Sequence, residues 1–285
     1  MITFLKSTYA HWVHDLSPFL WEFPGSWAGW GPGGIRWYGV SYLAGFLVAY
    51  LLLIQANKSG KSPYDKEQSL NLMTFQVLGV LFGGRIGYAI LYQTERVLED
   101  PLFILRVWEG GMASHGGFIG VIIATIWYVR QSKQGFWPVA DLIATIVPPG
   151  FFFGRIANFI NGELWGKTTE VSWGVLFPGA PGFAEGIARH PSQLYAACLE
   201  GLAVFAFVQW RFWKTNVYVR TPGRLGGEFL VAYSVARIIG EFFREPDASL
   251  ILGMSRGQFY SILLAIAGIF VILLSELRRS KKATL

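Results

Sequence analysis

Long apolar stretches separated by short polar connections make up most of the chain. Because a helix needs about 20 mostly apolar residues to cross a bilayer, this pattern predicts seven membrane-spanning helices. The predicted spans are Tyr38–Ala56, Leu70–Tyr92, Met112–Val129, Trp137–Phe159, His190–Trp210, Gly226–Phe243 and Gly257–Leu274. The fourth, fifth and sixth carry polar residues, whereas the seventh has little polarity and is interpreted as scaffold. The pattern therefore indicates an all-α integral membrane protein.

Composition agrees with this class of protein. Of the 285 residues, 53% are hydrophobic and 15% are charged, whereas soluble domains carry about 25% charged residues. The net charge of +6 is spread between apolar segments rather than gathered in one block, which argues against a nucleic-acid partner. A single cysteine, Cys198, excludes an intrachain disulfide, and the scattered histidines predict no metal site.

The distribution of Lys and Arg predicts the orientation, because these residues favour the cytoplasmic side. They are concentrated in the connections after the first, third and fifth spans and in the C-terminal tail, whereas the opposite connections hold most of the acids. The N-terminus is therefore predicted outside and the C-terminus in the cytoplasm. Residues 1–37, rich in Trp, Gly and Pro, are predicted to be an irregular or short-helical segment on the outer surface. Residues 160–189 are predicted to form a small outer cap between the fourth and fifth spans.

This topology places the unusual polar residues of the spans near the outer surface. They are Tyr38, Arg85, Tyr88, His115, Arg155, Asn158, Gln193, Arg237 and Glu241. A seven-span lipid or solute transporter, the alternative function, would need polar residues near the midplane. The inner halves of the spans are nearly uncharged, with Glu200 as the main exception. The sequence therefore favours a site in the outer leaflet.

The segment Gly154–Gly166 concentrates this polarity in a few residues. An arginine at the end of a span is costly unless it is paired, and Asn158 lies on the same helical face as Arg155. A guanidinium beside amides and glycines suits a phosphodiester oxygen, which Arg can bind with two hydrogen bonds. The alternative is that Arg155 extends to the headgroup layer without binding a specific ligand.

A second arginine lies in the sixth span. Tyr233, Arg237 and Glu241 are spaced by four residues, which puts them on one helical face. We interpret Arg237 as a second phosphate-binding or leaving-group-binding residue that Glu241 orients. The alternative, a pair that only neutralises itself, does not explain why charge is present where apolar residues are usually less costly.

Other polar residues are compatible with more than one role. His115 precedes two glycines, and a pKa near 6.5 suits either a general base or a hydrogen-bonding group that positions substrate. Tyr38 taken alone is typical of the aromatic belt. The segment 82–90 shares five of nine residues with 152–160, which we interpret as chance similarity, and the role of Arg85 stays open.

The sequence also resembles a known family. The motif formed by Gly154, Arg155, Ala157, Asn158, Phe159, Asn161, Glu163 and Gly166 closely resembles the signature of the bacterial prolipoprotein diacylglyceryl transferases. Further matching segments follow in the family's order. They are Ile35–Gly39, Gly83–Tyr88, His115–Gly117, His190–Tyr195 and Tyr233–Asp247. Ala157 and Ala196 depart from the usual residues, and neither departure removes a functional group.

The resemblance implies a reaction and a location. A diacylglyceryl group moves from phosphatidylglycerol to the lipobox cysteine thiol of a preprolipoprotein signal peptide, a thioether forms and glycerol phosphate leaves. The protein would be a single membrane-embedded catalytic domain, residues 1–285, in the lipid bilayer of the bacterial inner membrane. Its site would face the outer leaflet. No cofactor or metal is implied, because the acceptor cysteine attacks directly.

The resemblance also implies roles for individual residues. Arg155 and Arg237 would stabilise the leaving phosphate, and His115 would be the base, with Glu241 or a tyrosine as alternatives. The remaining predicted substrate-binding residues are Tyr38, Asn158, Glu163, Gly166, Tyr88 and Tyr233.

Overall fold

The computed structural model describes residues 11–26, 32–106, 109–246 and 249–283, and most of them are helical. The α-helices are α1 (Trp37–Lys58), α2 (Lys66–Tyr92), α3 (Thr94–Glu99), α4 (Ser114–Ser132), α5 (Phe136–Ile146), α6 (Pro148–Ile160), α7 (Ser192–Ala196), α8 (Val204–Lys214), α9 (Val217–Arg220), α10 (Arg224–Glu241) and α11 (Arg256–Ala283). A 3₁₀ turn covers Pro101–Leu105, and a π-helical turn, Ala197–Ala203, joins α7 to α8. The strands are β1 (Trp12–Val13), β2 (Phe19–Ser26), β3 (Pro32–Arg36) and β4 (Val175–Leu176).

Within the described part of the chain, five helical stretches are long and apolar enough to cross a membrane. They are Trp37–Lys58, Lys66–Tyr92, Phe136–Ile160, Ser192–Lys214 and Arg256–Ser280. These stretches correspond to the predicted first, second, fourth, fifth and seventh spans. The predicted third and sixth spans correspond to α4 and α10, which are helices of 19 and 18 residues but are not among the five.

The surface of these helices supports a multi-pass membrane protein. On α1, Leu43, Leu47 and Leu51 follow one another at intervals of four residues and are 70%, 59% and 55% exposed. Helix α11 carries a comparable set of exposed Leu, Ile and Phe side chains. In water such stripes would promote association, whereas in a bilayer they contact lipid.

Two of the five stretches are not regular helices. Helix α5 ends at Ile146 and α6 begins at Pro148, with Pro149 next to it. Proline is tolerated in the first turn of a helix because its missing N–H has no intrahelical partner there. In the fifth stretch, the π-helical turn separates two α-helical segments. Such π-turns are rare and often occur at functional sites.

The chain divides into two compact units, and one of them covers Tyr50–Leu142. In this unit α2 and α4 pack along a series of glycines. A Cβ atom on Gly79 would lie 2.6 Å from the carbonyl oxygen of Gly120, and a Cβ atom on Gly87 would lie 2.7 Å from the Cα atom of Gly116. Small residues allow membrane helices to approach until their backbones are in contact, so this seam holds the two helices together.

The other unit comprises Met1–Ala49 and Ile143–Leu285. In it, α10 packs along α11, and α6 packs against the π-helical turn. A Cβ atom on Gly201 would lie 2.6 Å from the Cβ atom of Phe152, so a glycine is required where the turn meets α6. A network of ion pairs joins α8, α10 and α11. Its members are Arg211, Arg224, Glu228, Glu276 and Arg279.

The predicted cap is a folded segment of the same unit. Strand β1 pairs in parallel with β4, and Val175 also bridges to Arg189. Val13, Leu176 and Ala188 form a small buried core below these strands. The cap therefore has its own hydrogen-bonded backbone and apolar interior.

The secondary structure predicted for the N-terminal segment, irregular or short-helical, was wrong in its described part. Strands β2 and β3 form an antiparallel hairpin in which Phe19 pairs with Arg36. The aromatic residues Phe19, Trp21 and Phe23 alternate along β2, which is the period of a strand rather than of a helix. Residues 27–31, which include Trp27 and Trp30, lie outside the described residues.

Candidate active site

A fully buried glutamate joins the two arginines that the sequence singled out. Glu200 Oε2 accepts hydrogen bonds from Arg155 Nε at 3.1 Å and Nη2 at 2.9 Å, and Oε1 accepts one from Arg237 Nη1 at 3.1 Å. The side chain of Glu200 is 0% exposed, whereas those of Arg155 and Arg237 retain 19% and 15% exposure. The carboxylate therefore lies beneath two guanidinium groups that remain accessible to an anion.

The local fold explains this convergence. Arg155 is in the third turn of α6, Glu200 is in the π-helical turn and Arg237 is in α10. The glycine after Glu200, Gly201, allows α6 to approach the π-helical turn. Three separate helical elements thus bring their charged groups to one buried position.

The second carboxylate of the site is Glu241, one turn after Arg237 on α10. Arg237 Nη2 lies 2.5 Å from Glu241 Oε1, so the pair expected from the spacing is present. Glu241 is 6% exposed. Tyr233, one turn before Arg237, packs against Phe151 with ring centroids 4.8 Å apart, and its hydroxyl interacts with Arg155.

A polar cluster lies beside Arg155. Glu163 Oε1 accepts hydrogen bonds from the Tyr38 hydroxyl and from Asn158 Nδ2, the latter at 2.7 Å, and Asn158 Nδ2 also contacts the Tyr38 hydroxyl. Gln193 Nε2 donates to the backbone oxygen of Glu163 at 2.6 Å. Tyr38 also interacts electrostatically with Arg155. The hydroxyl, amide and carboxylate groups suit recognition of a polar headgroup.

Gly166 has a packing role in this arrangement. Its N–H donates to the backbone oxygen of His190 at 2.9 Å, and it bridges to Arg244 just beyond α10. A Cβ atom on Gly166 would lie 2.5 Å from the oxygen of His190 and 2.6 Å from that of Phe243. Only glycine fits where these three backbone segments meet, so Gly166 connects the cap to the end of α10.

The other predicted site residues belong to the unit Tyr50–Leu142. The ring of Tyr88 stacks on Tyr92 with centroids 6.0 Å apart, and its hydroxyl accepts from Gln93 Nε2 at 3.3 Å. The Tyr88 ring packs directly on Gly111, where a Cβ atom would overlap the ring. His115 is in the first turn of α4. The structure describes its backbone but not its side chain.

Arg85, whose role the sequence left open, donates to backbone oxygens. Its guanidinium is bonded to the carbonyl groups of Phe103, Ile104, Arg106, Gly110 and Gly111. With 3% exposure and these acceptors around it, Arg85 holds the connection between α2 and α4 in place. Its hydrogen bonds show a structural role.

Sequence reasoning assigned no role to Glu200. The available signal was an acidic residue within an apolar span and next to a glycine, which usually marks a functional position in a membrane helix. The partners of Glu200 are 45 and 37 residues away along the chain, so the pairing itself was not visible.

The fold and the site define a class: a helical, multi-pass membrane protein with two arginines held over a buried carboxylate. Comparison with known proteins identifies the family. The model of the prolipoprotein diacylglyceryl transferase family matches residues 27–274. The chain belongs to this family of transferases.

Named relatives cover most of the chain. A phosphatidylglycerol–prolipoprotein diacylglyceryl transferase of Idiomarina loihiensis is 46% identical over 246 residues, which are 85% of this chain and 89% of the relative. Proteins of the same name match at 45% over 260 residues in Pasteurella multocida (88% of this chain, 92% of the relative) and at 41% over 263 residues in Cereibacter sphaeroides (84% and 90%). The resemblance noted in the sequence is confirmed.

Proposed function

We propose that this chain transfers the diacylglyceryl group of phosphatidylglycerol to the lipobox cysteine of a preprolipoprotein. The sulfur attacks the glycerol carbon that bears the phosphate oxygen, a carbon–sulfur bond forms and the carbon–oxygen bond breaks. Glycerol phosphate leaves with the bonding electron pair. The family membership supports this reaction, and the observation that carries it is the pair of arginines over Glu200.

The two arginines suit the charge that develops during this step. Negative charge increases on the leaving phosphate, so guanidinium groups stabilise the transition state more than the bound substrate. Glu200 and Glu241 hold Arg155 and Arg237 in position before substrate arrives. Little reorganisation is then needed at the moment of reaction.

The neighbouring polar groups complete the proposed site. The cluster of Tyr38, Asn158 and Glu163 binds the hydroxyl groups of the glycerol headgroup, because it offers both donors and acceptors. Tyr233 supports Arg155 from α10. Gly166 contributes by holding the cap against the end of α10. A substrate-binding role for Tyr88 is proposed from the family resemblance alone.

The acceptor thiol must lose its proton, since a free cysteine has a pKa of about 8.5. We assign this step to His115, with Glu241 or a tyrosine as alternatives. The acceptor sulfur is itself the nucleophile, so the reaction requires neither a metal nor a cofactor. The partners are phosphatidylglycerol, the signal peptide with its lipobox cysteine and the bilayer.

The proposal includes seven spans, with α4 and α10 as the third and sixth. The N-terminus and the cap lie outside, the C-terminus is cytoplasmic and the site opens to the outer leaflet of the bacterial inner membrane. Two observations support this arrangement: the uneven distribution of Lys and Arg, and the attachment of the cap to the ends of the helices that carry the arginines.

The test uses the purified protein with phosphatidylglycerol and a synthetic lipobox peptide, and mass spectrometry of the peptide. We expect a diacylglyceryl adduct that disappears when the peptide cysteine is replaced by serine. Arg155→Ala and Arg237→Ala should each abolish the adduct while the protein still inserts into the membrane. Near-normal turnover of either variant would contradict the phosphate role. Transport of lipid across vesicles without an adduct would favour a transporter instead.

A further inference from the structure

The start of α11 forms a capping box beside the candidate active site. The backbone N–H of Gln258 donates to Ser255 Oγ at 3.1 Å, and the backbone N–H of Ser255 donates to Gln258 Oε1 at 3.1 Å. This reciprocal pattern is the usual N-terminal cap of a helix that begins after serine. Ser255 is buried, so its hydroxyl group is directed toward the protein interior.

The same hydroxyl group contacts the active-site carboxylate. Ser255 Oγ donates to Glu241 Oε2 at 2.6 Å, a contact between two buried groups. Because Oγ already accepts the N–H of Gln258, its own hydrogen is left for Glu241. A hydrogen bond to an ionised carboxylate is roughly twice as strong as one between neutral groups. The helix cap thus fixes the direction of this donor.

Gly257 closes the other side of the carboxylate. A Cβ atom on Gly257 would lie 2.5 Å from Glu241 Cδ and 2.6 Å from Oε1. No side chain fits there unless Glu241 moves. The carboxylate is therefore enclosed by Ser255, by the backbone of Gly257 and by Arg237, whose Nη2 lies 2.5 Å from Oε1.

We propose that Ser255 and Gly257 are positioning residues that hold Glu241 against Arg237 and so orient this arginine toward the leaving phosphate. The inference rests on the proposed function and adds the first residues of the last helix to the site. It also assigns Glu241 an orienting role, because Oε2 accepts the hydrogen bond of Ser255 and Oε1 faces Arg237.

Three substitutions separate this role from simple helix capping. Ser255→Thr keeps both the cap and the donor. Ser255→Ala removes both. Ser255→Asp keeps a good cap but has no hydrogen to donate, and its charge faces Glu241. If Ser255 positions Glu241, activity should decrease in the order Ser, Thr, Ala, Asp at position 255. If Ser255 only caps the helix, the variant with Asp should match the unmodified protein and exceed the variant with Ala.

The experiment measures kcat and KM for adduct formation with phosphatidylglycerol and the lipobox peptide. We expect Ser255→Ala to lower kcat about tenfold or more, as for loss of a hydrogen bond to a charged group, and Ser255→Asp to lower it further, with a smaller change in KM. Thermal unfolding in detergent shows how much of each variant is folded. Ser275→Ala is the matched control. It removes a buried hydroxyl group of the same helix that bonds only to Ile272 O among the described contacts.

The outcomes are distinct. If the unmodified protein forms no adduct, the proposed function fails and this inference fails with it. If the unmodified protein is active but Ser255→Asp matches it, or Ser275→Ala loses as much kcat as Ser255→Ala, the function stands and the positioning role is overturned. Activity in the order Ser, Thr, Ala, Asp with Ser275→Ala unchanged supports it.

Discussion

At the scale of single residues, Arg85 and Arg155 show that the partner of a buried arginine decides its role. Both residues lie between a glycine and an isoleucine, yet Arg85 donates to backbone oxygens and Arg155 to the carboxylate of Glu200. Hydropathy could predict that a charge in an apolar helix needs a partner. It could not predict which partner, because the contacting groups come from other segments of the chain.

The first prediction concerns Arg85. Lysine has three donors and no planar fork, so Arg85→Lys cannot bond all the carbonyl groups that the guanidinium contacts. A buried group left without a partner costs about 1–3 kcal/mol. We expect a loss of about 2 kcal/mol or more in stability, measured by thermal unfolding in detergent. Arg96→Lys, at a side chain that is 48% exposed, is the control, and an equal change in both variants would contradict the anchoring role.

The second prediction concerns Glu200. In Glu200→Gln only one side-chain oxygen remains an acceptor, and the amide nitrogen faces one of the two guanidinium groups. Arg155 and Arg237 then lose their common support, so we expect kcat for adduct formation to fall about tenfold or more.

Glu228→Gln is the matched control, because Glu228 also accepts from two arginines, Arg211 and Arg224. It should lower stability while kcat of the folded fraction stays near normal. Equal losses of kcat in the two variants would show that Glu200 matters only for folding.

At the scale of elements, continuity of the apolar pattern decided what could be predicted. Helices α1 and α2 match their predicted spans within a few residues, since their stretches are long and uninterrupted. Helix α11 begins next to its predicted start but continues past Leu274 to Ala283. The π-helical turn at Glu200 was not predictable, because nothing in hydropathy distinguishes it from an α-helix. The β2–β3 hairpin was not predicted because the Trp, Gly and Pro content of the segment indicates irregular structure, whereas its alternating aromatic residues have the period of a strand.

The third prediction concerns the seam between α2 and α4. A Cβ atom on Gly116 would overlap the carbonyl oxygen of Gly83 and lie 2.8 Å from Gly87 Cα, which are backbone atoms that move only if the helices separate. We expect Gly116→Ala to destabilise the protein by about 1–3 kcal/mol. At Gly117 the nearest atom to a Cβ would be Val80 O at 3.9 Å, so Gly117→Ala should be neutral or slightly stabilising. Thermal unfolding of the pair measures the difference, and equal effects would contradict the seam.

At the scale of the whole molecule, the cap should make stability depend on pH. His14 is buried between Phe159 and Phe177, and Nε2 lies 2.7 Å from the backbone oxygen of Phe159. Burial lowers the pKa of His14 below its ordinary value of 6.5, and burial lowers that of His190 as well. The folded state then binds protons less readily than the unfolded state, so stability decreases as the pH falls below about 6.5.

The fourth prediction follows from the lowered pKa values of His14 and His190. Unfolding temperatures should be constant above about pH 7 and should fall between about pH 6.5 and 5. His14→Gln, which keeps a donor for Phe159 O, should fall less over this range, with the remaining dependence partly due to His190. A stability that rises on acidification, or a slope unaffected when both histidines are replaced, would show that these side chains do not control the response.

The last prediction tests the number of spans through the position of the cap. If α4 crosses the membrane, α5 and α6 run outward and the cap lies on the same side as the connection between α2 and α4. If α4 does not cross, the cap lies on the opposite side from that connection. In a Cys198→Ala background, we expect Glu99→Cys and Glu185→Cys, both at exposed positions, to react with a membrane-impermeant maleimide on intact spheroplasts. Lys133→Cys should react only after lysis. Labelling of Glu99→Cys and Glu185→Cys from opposite sides would exclude the seven-span arrangement, even if the protein carries out the proposed transfer.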